Sequence, residues 1–154
     1  MLEKGIKLTF VMTSRFKNEI IPFIFKWEGT TFEDDPSDPG GATKFGIDAR
    51  SHPHVDIKNL TADQAAGIYW TEYCNLHCDE YAPQFDWVFF NCCVNCGVGR
   101  ATKIKSVSGV DCSKFLDLQE SFYKSLAENR PSSRKFLKGW LARTEDLRKV
   151  IGIA

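Results

Sequence analysis

The sequence predicts a mainly α-helical domain carrying one small β element, an α+β chain of 154 residues. Three observations support this. Apolar residues recur at helical spacing, as in Phe16, Ile20, Ile24 and Trp27. From Thr30 to Phe45 that periodicity stops, and EDDPSDPGGATKFG is dense in the Asp, Pro and Gly that favour turns. The length suits one domain: with 43% hydrophobic and 26% charged residues, the chain buries roughly 70% of its unfolded surface on folding. This composition excludes wholesale disorder and collagen-like structure.

The elements follow in order. Residues 1–13 read as an N-terminal extension, expected to be disordered, and 14–154 as a single domain. The first helix runs to Glu28-Gly29, with Pro22 delaying or kinking its early turns. Thr31-Phe32 and Lys44-Phe45-Gly46-Ile47 are candidate strands of a small hairpin. Thr61 followed by Gln64 is a capping-box pattern that opens a helix through about Tyr73. Pro83 suits the first turn of the next helix, whose inner face carries Phe85, Val88, Phe89 and Cys92. A helix over 112–128 presents Phe115, Leu118, Phe122 and Leu126. Pro131 restarts a helix through Phe136, Leu137, Trp140 and Leu141, with a last short helix over 144–150.

Twenty basic residues balance twenty acidic ones, which gives no reason to propose nucleic acid or an anionic membrane as partner. The balance is uneven along the chain: residues 1–27 carry net +3, 28–91 net −9 and 92–154 net +6. Solvated faces would produce such blocks, and so would an acidic site backed by a basic half. No stretch approaches the roughly 20 apolar residues of a membrane span. The apolar run Leu8–Met12 is short for a signal-peptide core, so no secretion signal is expected.

Six cysteines stand at 74, 78, 92, 93, 96 and 112. Cys74/Cys78 and Cys92/Cys96 are i, i+4 pairs on expected helices, with His77 nearby. Convergence on zinc, a disulfide and reduced core thiols are all open; the spacing and the missing signal favour reduced thiols and no bound metal.

The chemistry-bearing segment is KWEGTTFEDDPSDPGGATKFGI, residues 26–47. Glu28 ends an apolar helix beside Trp27, where partial desolvation raises a carboxyl pKa and suits it to general-acid work. A glycosidic bond needs such an acid and a second carboxylate, and Asp34, Asp35 and Asp38 all lie on the following loop. Asp-Pro-Gly-Gly bends sharply and lets backbone approach a ligand at Gly40 and Gly41. Thr43 adds a hydroxyl. An acidic turn with a solvent-facing glutamate would leave the same residues.

The string E-G-x(n)-D-P-x-D-P-G-G-A-T-x-x-G-I resembles the opening of glycoside hydrolase family 108, the phage-type N-acetylmuramidases. The likeness continues through Leu60-Thr61 to Tyr73, through Phe85-Asp86 and Val94-Asn95 to Ala101, and through Phe136-Leu137-Lys138-Gly139-Trp140 to Arg143. It implies a lysozyme-like fold, helices around a cleft with one small β-hairpin wall. It divides the domain into a catalytic part over 14–101 and a reduced C-terminal part over 102–154. It also implies cleavage of the β-1,4 bond between N-acetylmuramic acid and N-acetylglucosamine in bacterial peptidoglycan, without a cofactor, by a monomeric endolysin held in the cytoplasm until release. Glu28 falls on the family's motif glutamate. Short phage lysozymes place an Asp nine and a Thr fifteen residues after it. Here Ser37 is nine on, Asp38 ten on and Thr43 fifteen on, and Asp38 is favoured because Pro-Gly-Gly anchors it.

Departures are Thr30 in place of a second glycine, strained if that position needs positive φ, and a loop one residue longer. Tyr69 and Tyr73 are candidate sugar-stacking rings, though the same spacing suits core packing. Asn95 is a candidate cleft residue. Lys135, Lys138, Arg143, Arg148 and Lys149 read as a solvated face, and Gly139 as a close helix contact. A non-catalytic glycan-binding module and a lytic transglycosylase are the alternative functions.

Overall fold

The structure, a computed structural model, describes residues 12–74 and 83–154, apart from the side chains of Cys74 and Pro83. The expectations for residues 1–11, His77 and Cys78, and for the Cys74 thiol, lie outside the described residues. The chain divides into two compact units, one through Trp70 and one from Thr71.

In the first unit a π-helical turn, Phe16–Ile20, runs directly into α1 (Ile21–Glu28). Pro22 explains the widened turn: it has no N–H for the ladder, and its ring would crowd the carbonyl one turn back. Phe16, Ile20 and Ile24 are buried on the expected stripe, and Phe16 meets Trp70 edge-on at 4.9 Å. Gly29, at φ 83°, closes α1 by donating its amide to the Phe25 carbonyl at 2.9 Å.

The hairpin is smaller than expected and shifted. β1 is Thr43–Lys44 and β2 is Ile47–Asp48, antiparallel, with Thr43 opposite Asp48 and Lys44 opposite Ile47. Phe45-Gly46, expected inside a strand, is the turn. Both residues have positive φ, 54° and 76°, as a two-residue hairpin that follows the strand twist requires. Thr31-Phe32 forms no strand; Glu33 instead bridges Thr43 through reciprocal 2.8 Å amide bonds.

The capping box forms as expected. The Gln64 amide donates to the Thr61 hydroxyl at 3.2 Å, and the Thr61 amide donates to the Gln64 side chain at 2.9 Å. It opens α2 (Ala62–Cys74), which buries Ala65, Ala66, Tyr69 and Trp70 in the first unit.

The second unit holds α3 (Pro83–Cys96), α4 (Val98–Ser108), α5 (Cys112–Asn129) and, after a 3-10 turn at Pro131–Ser133, α6 (Arg134–Val150). Gly97 at φ 85° separates α3 from α4, a break the apolar pattern did not signal. The expected inner face of α3 is buried, and Phe85 meets Phe115 of α5 edge-on at 5.6 Å. On α5 the fully buried stripe is Phe115, Leu116, Gln119, Tyr123 and Ala127; Leu118, Phe122 and Leu126 flank it half-buried.

The two expected C-terminal helices are one continuous α6, in which the Thr144 hydroxyl returns to the Leu141 carbonyl at 3.0 Å. Two members of the expected solvated face turn inward. Arg143 is 4% exposed and donates through Nε to Asn91 at 2.8 Å. Arg148 bridges Asp117 at 2.7 Å and Glu120 at 3.2 Å on α5. Gly139 is exposed, with nothing close to where a Cβ would stand, so it makes no close helix contact.

Candidate active site

The site is built where α1 ends against the hairpin turn. Glu28 is the last residue of α1 and is half-buried. Its stem lies against Gly46. A Cβ added at Gly46 would stand 2.9 Å from Glu28 Cβ, 3.0 Å from Glu28 Cγ and 2.5 Å from the Tyr69 hydroxyl. No residue but glycine fits there, both for space and for the positive φ.

The turn itself is clamped. Tyr69 donates its hydroxyl to the Phe45 carbonyl at 2.7 Å. The Phe45 ring packs on Phe25 of α1 at 4.8 Å, and Phe25 lies 6.4 Å from Tyr69. Phe45 sits in the left-handed region, at a cost of about 1–2 kcal/mol for a residue with a Cβ. Burial of its ring offsets that strain. The arrangement fixes the backbone of Glu28 relative to the hairpin.

The acidic loop is ordered by its own turns. Asp38 is exposed and accepts the Gly40 amide at 2.8 Å, and its carbonyl accepts the Gly41 amide at 3.0 Å. Asp35 accepts both the hydroxyl of Ser37 at 2.7 Å and its amide at 2.8 Å. Those bonds, the hydroxyl first, hold the Asp35 carboxyl below the usual aspartate range. The Arg50 amide donates to the Gly40 carbonyl at 3.1 Å, drawing the Pro-Gly-Gly segment along the hairpin. A Cβ on Gly40 would stand 3.2 Å from Asp38 Oδ1 and 3.4 Å from Asp48 Cβ, so the missing side chain lets these two aspartates flank it closely.

Thr43 is half-buried on β1 and donates its hydroxyl to the Gly41 carbonyl at 3.3 Å. Asp48, opposite Thr43, accepts the Ser51 amide at 2.8 Å. Partial burial pushes the Asp48 carboxyl up, but the Ser51 bonds and the charge of His52 outweigh it and hold the group low.

The expected site residues thus divide. Glu28, Asp38, Gly40, Gly41 and Thr43 all belong to α1, the hairpin or the loop between them. Tyr69 supports the same hairpin from below: at 3% exposed, its ring offers no face for stacking. Tyr73 and Asn95 belong to the second unit. The Tyr73 ring packs edge-on against Phe90 at 5.3 Å, and Asn95 accepts the Tyr123 hydroxyl at 2.5 Å. Thr30 does not have a positive φ, so the strain considered for it is not present. The sequence reading missed Phe25 and Gly46 as supports of Glu28; the signal was the Phe45-Gly46 pair, legible as a turn only once its two flanking strands are paired. Among the described residues no cluster of three or more His, Cys, Asp or Glu side chains could hold a metal ion.

The fold is lysozyme-like α+β, with a helix-ending glutamate against a small hairpin. The sequence model of Glycosyl hydrolase 108 matches residues 21–97, half of the chain, and the protein belongs to that family. Among solved structures, Brucella abortus SagA is similar in fold, with a TM-score of 0.69 at 22% identity over 90% of this chain and 95% of that one. No curated protein matches the sequence.

Proposed function

We propose that the chain is a peptidoglycan hydrolase, an N-acetylmuramidase cutting the β-1,4 bond between N-acetylmuramic acid and N-acetylglucosamine. The observation that carries the reading is the seating of the Glu28 stem on the Phe45-Gly46 turn under the Tyr69 hydroxyl. A general acid must be held at a fixed distance from the leaving oxygen, and this packing removes most of the freedom of the glutamate stem. Glu28 donates its proton to the glycosidic oxygen as the bond to the muramic acid anomeric carbon breaks. Asp38 is the second carboxylate, steadying the oxocarbenium-like centre or activating the water that adds to it. Thr43 orients water or substrate, and the backbone at Gly40 and Gly41 approaches the sugar. Tyr69 is assigned to positioning Glu28.

The reaction uses no metal or organic cofactor. The partner is the glycan strand of the bacterial wall, with no role for nucleic acid, and the protein works as a monomer. Retention in the cytoplasm until release would fit this use. Among the described residues no helix is long and apolar enough to cross a membrane.

The test is the chemistry of the products. Purified peptidoglycan treated with the protein yields new reducing muramic acid ends if the reading is right. Anhydromuramic ends instead identify a lytic transglycosylase. Intact glycan that pelletes with the protein identifies a binding module.

A further inference from the structure

The last turns of α3 carry Cys92, Cys93 and Cys96, and the reaction proposed above uses none of them. Cys92 and Cys96, four residues apart on one helix, share a face. Cys92 is fully buried; Cys96 is half-buried and is the final residue of α3. Two side chains of α5 close around Cys96, with the Tyr123 hydroxyl 3.4 Å and the Gln119 amide nitrogen 3.8 Å from its sulfur.

Gln119 is fully buried. Its nitrogen serves both Tyr123, at 2.8 Å, and Cys96, while its own oxygen has no hydrogen-bond partner among the described residues. The amide is therefore oriented by acceptors, one of which is the sulfur. The neighbouring Cys92 thiol first, then the Tyr123 and Gln119 contacts and the charge of Arg143, pull the Cys96 thiol down to about 7 against the effect of burial. The neighbouring Cys96 thiol, with burial, pushes Cys92 far up. A half-buried thiol with a lowered pKa therefore stands beside a fully buried one, an asymmetry that suits thiol–disulfide exchange.

We propose that Cys96 and Cys92 form a redox-active dithiol, a modification site for low-molecular-weight disulfides. The Cys96 thiolate attacks one sulfur of the small disulfide, forming a mixed disulfide and expelling the other half as its thiolate. Cys92 then gives up its proton and attacks the Cys96 sulfur. The Cys92–Cys96 bond forms, and the second half leaves as thiol. Two electrons and two protons pass from the cysteine pair to the reagent.

Side chains four apart on a helix have Cβ atoms about 5–6 Å apart, whereas a disulfide needs about 3.5–4.5 Å. Closure must therefore pull Cys96 out of the last turn of α3. Its terminal position, followed by Gly97 at φ 85°, makes that turn the one free to open. Oxidation would draw the sulfur off Tyr123 and Gln119 and loosen α3 from α5.

The experiment uses the full chain with Cys74, Cys78 and Cys112 replaced by Ser, leaving Cys92, Cys93 and Cys96. It is treated with glutathione disulfide at pH 7, its remaining thiols are trapped with maleimide, and intact mass is measured. The expected result is loss of two of the three trapped thiols with no glutathione retained, reversed by reductant. Adding Cys92→Ser should leave one glutathione on the chain, adding Cys96→Ser should abolish reaction, and adding Cys93→Ser should change nothing. Stable glutathionylation of the parent, no reaction at all, or two-thiol loss that survives Cys96→Ser would overturn the proposal. Peptic mapping of the unsubstituted chain gives the same assignment if the triple substitution prevents folding.

Discussion

The Tyr69 hydroxyl donates a 2.7 Å hydrogen bond to the carbonyl oxygen of Phe45, twenty-four residues earlier in the chain. That bond ties α2 to the hairpin turn on which Glu28 rests. Tyr69→Phe leaves a buried carbonyl without its donor, a loss of about 1–3 kcal/mol in stability. With Tyr69 positioning Glu28, kcat on a glycan substrate should fall while KM holds. Steady-state kinetics on soluble peptidoglycan fragments separates the two; a raised KM at unchanged kcat would mean that Tyr69 touches substrate instead.

Gly46 and Gly29 both have positive φ, but only Gly46 is crowded. Gly29→Ala should cost about 1–2 kcal/mol, from backbone strain alone. Gly46→Ala adds overlap with Glu28 and Tyr69, so it should cost more and remove most of the activity of the folded protein. Denaturant unfolding of the two variants, read beside their specific activities, checks the ordering.

The capping box gives a control remote in sequence from Glu28. Thr61→Ala removes the acceptor for the Gln64 amide and should destabilise by about 1 kcal/mol. Activity per folded molecule should be unchanged. Thermal unfolding with an activity assay below the transition measures both.

Asp48 makes an acid-side prediction. Its folded carboxyl lies below the ordinary value of 3.8, so its contribution is full above that value and is lost as pH falls through the lower folded one. Asp48→Asn should therefore lower stability at neutral pH and narrow its gap from wild type in strong acid. Denaturation midpoints from pH 7 downward test the sign.

Local devices were legible in the sequence, and features decided by tertiary packing were not. The reciprocal Thr61–Gln64 bonds and the end of α1 at Glu28-Gly29 depend on neighbours a few residues away, and both read correctly. A small hairpin was expected and forms, but its turn was not read, because nothing local requires a phenylalanine at φ 54°; Phe25 and the Tyr69 hydroxyl impose it from outside. Arg143 read as solvated because a charge usually is, and its burial depends on Asn91, fifty-two positions away. For the site, Glu28 and the Pro-Gly-Gly loop were readable as motifs. The supports of Glu28 were not, since Phe25, Phe45, Gly46 and Tyr69 look like ordinary core and turn residues until the chain folds.

In the proposed reaction Glu28 donates the proton that breaks the glycosidic bond. The most direct measurement compares wild type with Glu28→Gln, which keeps the packed stem and loses the acid. Both are incubated with purified peptidoglycan, new reducing ends are counted, and binding is followed by pelleting. Wild type should release reducing muramic acid ends, the variant at least about 100-fold fewer, and pelleting should be unchanged. Full activity in Glu28→Gln would contradict that role for Glu28.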